Sequence, residues 1–273
     1  MAIITISRGS LSGGQRLAGC AATNLGYRLV AREDLVREAV ALYGVGEEKL
    51  LHGLEHAPSL WDRFRIDRRI YLTVARATLC HLIREGDVIY HGFAGHLLLR
   101  GVKNLLRVRI IVPMRERIRA ACEEHGFTEG AAEAYIRKRD DERISWTRFL
   151  YGIEWGDPAL YDLTVNLEQL TIETACSLLA GLASRPEYKW DEEHRQQVGD
   201  LELAARTHAR LLLNHRIGAA AAKLEVKAEG GVVTLAGVLP SEGLVAEVLA
   251  TCRQIADIKE IKSDWMASRV EPV

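Results

Sequence analysis

The sequence has no long hydrophobic run, no excess of one charge and no paired cysteines. No apolar run approaches the roughly 20 residues that a membrane-spanning helix needs, and the first residues lack the basic segment and cleavage site of a signal peptide. The net charge is −1, so no global field attracts the chain to nucleic acid or to a membrane. We therefore expect a cytoplasmic protein of bacterial type that does not bind nucleic acid.

Cysteine and histidine patterns add two further expectations. The five cysteines are dispersed and form no CxxC pair: Cys20, Cys80, Cys122, Cys176 and Cys252. An odd, dispersed set is typical of reduced thiols in a cytosol rather than of a disulfide framework. His52 and His56 lie four positions apart but have no third ligand in view, so we expect no metal site.

Short strands alternate with helices up to about residue 182. Apolar runs predict strands at 3–6, 87–93, 105–113 and 163–166. Apolar residues at helical spacing predict helices at 17–25, 71–82, 114–125 and 172–182, with another helix from near Arg32. This alternation predicts an α/β fold with a parallel sheet covered by helices on both faces.

The pattern changes after residue 183. The segment 184–198 is polar, contains Pro186 and lacks apolar periodicity, which predicts a linker. A helix at about 200–214, a hairpin turning at Gly230 and Gly231, a helix at about 241–254 and a last strand follow. We therefore predict an α/β domain over 1–183, a linker over 184–198 and a small α+β domain of order α-β-β-α-β over 199–268. Gly237 is expected to permit a strand bend or close backbone packing.

A glycine-rich loop follows the first predicted strand. Its residues, Gly9 to Gly14, fit the pattern G-x-x-x-x-G, but Gln15 and Arg16 stand where lysine and serine or threonine are usual. Glycine allows backbone N–H groups to converge on an anion, and a helix N-terminus adds partial positive charge there. The loop predicts a phosphate site, although a purely structural turn is also compatible with it.

A segment rich in arginine occupies residues 135–166. Arg137, Arg139 and Arg143 are interleaved with acidic residues. A helical lid with such cations can close over a transferred phosphoryl group and neutralise its developing charge. The alternative is a solvated helix with ion pairs three and four residues apart.

The two segments together resemble the cytidylate kinase-like family of P-loop nucleoside monophosphate kinases. The resemblance covers about residues 1–182 and is most specific in "WGDPALYDLTVN" (155–166). It implies a P-loop kinase fold with a parallel sheet and a helical lid. It also implies ATP as phosphoryl donor, Mg²⁺, and a pyrimidine monophosphate as acceptor.

The resemblance also implies the residues of the site. Phosphate binding falls to the loop, its flanks and one later residue: Ser7, Arg8, Ser12, Gly13, Gly14, Gln15, Arg16 and Asp157. Catalysis falls to Arg137, Arg139 and Arg143 of the lid, and we expect Arg16 to replace the basic residue that is missing at position 15. Acceptor binding falls to Arg32 and Arg68, with Glu33 or Asp34 in place of the carboxylate missing at position 31. For Arg68, within the basic segment 63–69, a solvated basic face is the alternative.

The C-terminal region resembles a different module. The stretches "LEVKAEGGVVTLAGVLPSE" and "IKEIKSDW" are similar to a BON domain. The resemblance implies a site for a lipid or another small ligand, or a role in regulation. A homo-oligomer is a further expectation.

Four positions depart from the family pattern. Leu11 replaces a glycine, Gln15 a basic residue, Ala31 a carboxylate and Phe93 an arginine. Two interpretations follow. In the first, the chain binds a nucleotide or another phosphate with a regulatory role or weak activity. In the second, it is an active kinase that transfers the γ-phosphate of ATP to CMP, dCMP or a similar acceptor. A scaffold that binds no nucleotide is a further alternative.

Overall fold

The structure is a computed structural model, and it describes residues 2–55, 66–92 and 94–265. Its residues group into two compact units. The first unit holds the chain up to Asp34 and the range Glu85–Asp191. The second holds Leu35–Gly53, the helix that ends before Arg84, and the chain from Glu192 onward.

The first unit is built on a five-stranded sheet. Its strands are β1 (Ile3–Arg8), β2 (Arg28–Ala31), β3 (Val88–His91), β4 (Leu105–Ile111) and β5 (Leu163–Asn166), in the order β2-β3-β1-β4-β5. All of the pairs are parallel, which confirms the predicted sheet. The sequence analysis missed β2, because its apolar run of Leu29, Val30 and Ala31 is short and only Val30 is buried.

The helices in the described residues connect these strands and complete the second unit. They are α1 (Gly14–Leu25), α2 (Arg32–Tyr43), α3 (Glu47–Glu55), α4 (Ile66–Ile83), α5 (Gly95–Leu98), α6 (Met114–His125), α7 (Glu129–Tyr151), α8 (Ile172–Ala183), α9 (Glu192–Leu213), α10 (Gly218–Ala221) and α11 (Glu242–Arg253). The predicted helices of the α/β region are confirmed. No helix in the described part of the chain is long and apolar enough to cross a membrane.

Helices α1 and α8 pack together in the main core of the first unit. Ile4 and Ile6 of β1 meet Leu17 of α1 and Leu179 of α8 in one buried cluster. Side chains alternate across a strand, so Ile4 and Ile6 point to the same face of the sheet. This packing fixes α1, and therefore the loop before it, against the carboxyl end of β1.

The expectation that all cysteines are reduced is wrong for one pair. Cys20 of α1 and Cys176 of α8 form a disulfide, and their Cα atoms lie 6.1 Å apart. The two residues are 156 positions apart in the chain, and only the packing of α1 on α8 brings them together. Cys80 and Cys252 are free and buried, and burial raises the pKa of the Cys80 thiol to about 12.

The second unit contains a three-stranded sheet. Strands β6 (Glu225–Glu229) and β7 (Val232–Gly237) form an antiparallel hairpin, and β8 (Glu260–Trp265) pairs parallel to β7. The predicted element order is present, with α10 as an additional short helix. The linker prediction is wrong for residues 192–198, which belong to α9. Val198 is fully buried there, so this stretch packs although its sequence is polar.

Gly237 is required by its backbone conformation, as the sequence analysis expected. Its φ is +146°, and an added Cβ would lie 2.8 Å from Leu224 Cδ2. We predict that Gly237→Ala lowers the free energy of unfolding by about 1–3 kcal/mol, because side chains rarely adopt this conformation. Chemical denaturation measures the change.

A matched control lies in the same unit. At Gly243 of α11 an added Cβ would approach only Ser241 Oγ, at 3.9 Å. Gly243→Ala should leave stability unchanged or raise it by up to about 1 kcal/mol, since alanine favours helices. Equal unfolding midpoints for the two variants would contradict the assignment.

Candidate functional site

The glycine-rich loop turns tightly between β1 and α1. Gly13 adopts the left-handed region, with φ of 67°, and α1 begins at the next residue. Ser12 Oγ donates a hydrogen bond to the carbonyl oxygen of Gly9, at 2.9 Å. The first N–H groups of a helix have no partner within the helix and favour an anion. The loop therefore has the geometry of a phosphate site at the carboxyl end of β1.

The side chain of Arg8 crosses this loop. An added Cβ at Gly14 would lie 2.2 Å from Arg8 Cδ, so only glycine leaves room for it. Arg8 Nε donates to His91 Nε2, with 2.6 Å between the two atoms. Burial, followed by the charge of Arg8, lowers the pKa of His91 to about 4. The imidazole is therefore neutral near pH 7 and can accept this hydrogen bond.

Helix α7 is tied to the loop by a carboxylate. Asp140 Oδ1 accepts a hydrogen bond from the backbone N–H of Ser10, at 3.2 Å. Its Oδ2 accepts from Arg117 Nη2, at 2.6 Å, while Arg117 Nε donates to the carbonyl oxygen of Ser10, at 2.7 Å. Arg143 Nη1 donates to the carbonyl oxygen of Arg8, at 2.8 Å. The predicted lid helix thus contacts the loop directly.

Leu11 adds an apolar contact between the loop and α7. Its φ is +57°, a region that favours glycine. Its side chain packs on the cluster of Ala121, Ala132 and Ile136, which joins α6 to α7. The burial of apolar area offsets the strained backbone. Leu11, at the position of the family's glycine, therefore adds an apolar contact between the loop and the α6–α7 cluster.

The segment after α7 packs on β1. Trp155 Nε1 donates to Ser7 Oγ at 2.9 Å, and the hydroxyl of Tyr161 donates to the carbonyl oxygen of Trp155 at 2.9 Å. The guanidinium groups of Arg109 and Arg143 lie 4.9 and 5.1 Å from the Trp155 ring centroid. Trp155 is buried, as a packing residue should be, but it also lines the cavity described next.

A cavity of about 560 Å³ opens at this edge of the sheet. Seven of the residues predicted for the site line it: Ser7, Arg8, Gln15, Arg32, Glu33, Arg139 and Arg143. Burial lowers the pKa of Arg143 to about 10, so its guanidinium still carries a charge near pH 7. Burial by itself raises the pKa of Glu33. The hydrogen bonds from its own amide and from Arg32 outweigh that effect, so the net shift of the pKa is downward.

Other predicted residues lie elsewhere among the described residues. Arg16 is exposed on α1 and Asp157 caps the turn Pro158–Leu160, and neither is among the residues lining the cavity. Arg137 pairs with Glu133 at 2.6 Å, as the ion-pair interpretation of this helix expects. Asp34 accepts the backbone N–H of Ala31 at 2.9 Å. The functional roles of these residues stay predictions.

Two positions that the sequence analysis singled out, Arg68 and Phe93, have no described side chain. Arg68 belongs to α4, but its side chain lies outside the described part, and so does the whole of Phe93. Ala31 lines the cavity, so the position where the family carries a carboxylate lies at the expected edge of the sheet.

The sequence analysis missed three residues that organise the site. His91, Arg117 and Asp140 lie 83, 107 and 130 positions from their partners in the loop region. Asp140 was visible only as one acid within an arginine-rich helix. A signal for His91 did exist, because it ends a buried strand in a parallel sheet, where ligand sites form.

Comparisons with known proteins agree on one family. The model of the Cytidylate kinase-like family matches residues 3–169. A cytidylate kinase of Thermococcus kodakarensis is 28% identical over 167 residues, which cover 60% of this chain and 78% of that protein.

The chain is also similar to two solved structures, of which the first, with a TM-score above 0.5, shows a similar fold. An uncharacterized protein from Eubacterium ventriosum matches with a TM-score of 0.54 and 20% identity, over 67% of this chain and 99% of its own. A shikimate kinase from Bacteroides thetaiotaomicron matches with a TM-score of 0.42 and 14% identity, over 67% and 99% of the two chains.

Asp140 gives a test of the contact between α7 and the loop. Asp140→Ala leaves Ser10 N–H and the Arg117 guanidinium without their carboxylate partner. We predict that the free energy of unfolding falls by about 1–3 kcal/mol, because buried donors lose a hydrogen bond. Chemical denaturation measures the loss, and amide hydrogen exchange should show faster exchange in α7.

The neighbouring acid is the control. Asp141 is exposed on the same helix, so Asp141→Ala should change stability by no more than about 0.5 kcal/mol. Similar losses in the two variants would show that Asp140 has no special role.

Proposed function

Because the chain belongs to the cytidylate kinase-like family, we propose that it binds the phosphates of a nucleotide in the cavity at the carboxyl ends of β1 and β3. The observation that carries this proposal is the convergence on one cavity of Ser10 and Leu11 of the glycine-rich loop, Gln15 of the first turn of α1, and four arginines. Those arginines are Arg8, Arg32, Arg139 and Arg143. Ligands bind at this edge in open α/β sheets, beside the strand where the order reverses.

Each side of the cavity has its own role. The loop and Arg8 bind the phosphates of the donor nucleotide. Arg139 and Arg143 of α7 neutralise charge on the terminal phosphate. Arg32 and Glu33, at the start of α2, face the same cavity and serve the acceptor side.

The family implies ATP and Mg²⁺. The cavity offers several groups that fit the phosphates of ATP and a carboxylate that fits Mg²⁺. The loop amides and arginines fit the phosphates of ATP, which would supply the phosphoryl group. Within the described ranges no group of three or more His, Cys, Asp or Glu residues could hold a metal. Mg²⁺ commonly binds through one or two carboxylates, waters and the phosphates themselves. Glu33 lines the cavity and would be the carboxylate that binds Mg²⁺ together with the phosphates.

Phosphoryl transfer to a pyrimidine monophosphate such as CMP or dCMP is the second candidate function. The presence of Glu33, Arg139 and Arg143 around one cavity favours it, and the named relative is a cytidylate kinase. Gln15 and Ala31 weaken it, because the loss of one charge-stabilising group costs about 10²–10³ in rate. We therefore propose nucleotide binding with weak transfer activity.

The α-β-β-α-β region is proposed to act as a ligand-binding or regulatory module of BON type. The order of helices and strands in the structure, α9-β6-β7-α11-β8 with the short α10 between α9 and β6, supports this proposal.

Binding and turnover are measured separately on the full chain. Thermal shift with ATP, CMP, dCMP and inorganic phosphate, each with and without Mg²⁺, should show stabilisation by ATP. A coupled assay of ADP formation over the same acceptors should show slow turnover. Arg143→Ala should abolish most of the shift, because it removes a buried cation that lines the cavity.

Arg148 gives the matched control on the same helix. It is exposed and paired with Glu154 at 2.7 Å, so Arg148→Ala should keep the wild-type shift. Absence of any shift with ATP or phosphate would reject nucleotide binding. Binding without ADP formation would reject the kinase candidate alone.

A further inference from the structure

The loop lacks the cation that a phosphate-binding loop of this type carries. Gln15, at the position of the usual lysine, lines the cavity but brings no charge. Arg16, the next residue, is exposed on α1 and is not among the described residues that line the cavity. A lysine at this position normally reaches the β- and γ-phosphates. Another residue must supply the positive charge if the loop is to bind a polyphosphate.

Arg8 is placed to supply this positive charge to the loop. It is the last residue of β1, it lines the cavity, and its aliphatic chain lies against Gly14 at the first turn of α1. Its backbone carbonyl is fixed by Arg143 Nη1, at 2.8 Å. The guanidinium therefore lies above the loop from the strand side, whereas the usual lysine approaches from the helix.

His91 determines where this guanidinium lies. The parallel register of β1 and β3 pairs Ile6 with His91, which places the imidazole beside the end of β1. His91 is only 7% exposed, and its Nε2 accepts from Arg8 Nε at 2.6 Å. An Nε2 acceptor requires the proton on Nδ1. A bond from a charged donor to a buried, neutral acceptor is short and strong.

We propose that His91 is a positioning residue that holds the guanidinium of Arg8 over the glycine-rich loop, so that Arg8 supplies the phosphate-binding cation that position 15 lacks. The inference rests on the proposed nucleotide binding at this cavity. Arg8 Nε donates to His91, and Nη1 donates to the carbonyl oxygen of Gly9 at 3.5 Å, which holds the guanidinium against the loop. The N–H groups that these two hydrogen bonds do not use are the donors for the phosphate. The same arrangement explains why position 14 must be glycine.

The test measures the affinity for ATP and for inorganic tripolyphosphate by calorimetry. His91→Leu removes the acceptor and should weaken both affinities about tenfold or more, equivalent to about 1.4 kcal/mol. His91→Gln keeps an acceptor oxygen at similar reach and should restore most of the affinity. A purely structural role would not distinguish these variants, and unfolding midpoints recorded for each one report their stability.

A double-mutant cycle separates positioning from a direct role of His91. In the Arg8→Ala background, His91→Leu should cause no further loss, because the group that it positions is absent. Gln15→Lys should restore affinity in the Arg8→Ala background, since it returns a cation to the usual position. This last variant keeps His91 and so remains informative if His91→Leu does not fold.

The outcomes that overturn the inference differ from those that overturn nucleotide binding. If the wild-type chain binds neither ATP nor tripolyphosphate, the proposed function fails. If the wild-type chain binds, the inference fails on any of three results. These are equal affinities for His91→Leu and wild type, an equal loss from His91→Leu with and without Arg8, and no gain from Gln15→Lys in the Arg8→Ala background.

Discussion

The geometry of the site depends on the hydrogen bonds and ion pairs that the carboxylate of Asp140 makes. This carboxylate accepts the backbone N–H of Ser10 and the guanidinium of Arg117, and it lies 3.6 Å from Arg143. A buried arginine is tolerated only when a partner compensates its desolvation. One carboxylate thus allows two cations to lie beside the loop. Arg117 of α6 and Arg143 of α7 also donate to the carbonyl oxygens of Ser10 and Arg8, and Asp140 compensates the charge of both arginines.

Both the glycines of the loop and two departures from the family pattern, Leu11 and Gln15, are related to the arginines and helices that surround the loop. Leu11 attaches the loop to the apolar cluster of α6 and α7, and Gly9 leaves room for the Arg117 guanidinium, which lies 3.0 Å from the position of an added Cβ. Gly14 leaves room for Arg8. The loop is therefore shaped by arginines that approach from β1 and α6. Its own helix contributes Gln15, which is uncharged.

Much of the fold could be predicted because local patterns specify it. Helix α6 and strand β5 have the bounds that their apolar periodicity predicts, and Gly26 ends α1 in the left-handed conformation expected of a helix stop. The prediction failed where burial is not periodic. Strand β2 has one buried residue, and the start of α9 is polar in sequence although Val198 is buried.

The sequence by itself determined the parallel α/β fold, the glycine-rich loop, the arginine-rich helix and the family. These features depend on the spacing of neighbouring residues, which a linear pattern records. Only the tertiary structure decided that Arg8 pairs with His91, that Cys20 pairs with Cys176, and that Arg16 lies outside the cavity. Those outcomes depend on strand order and helix packing, which join residues far apart in the chain.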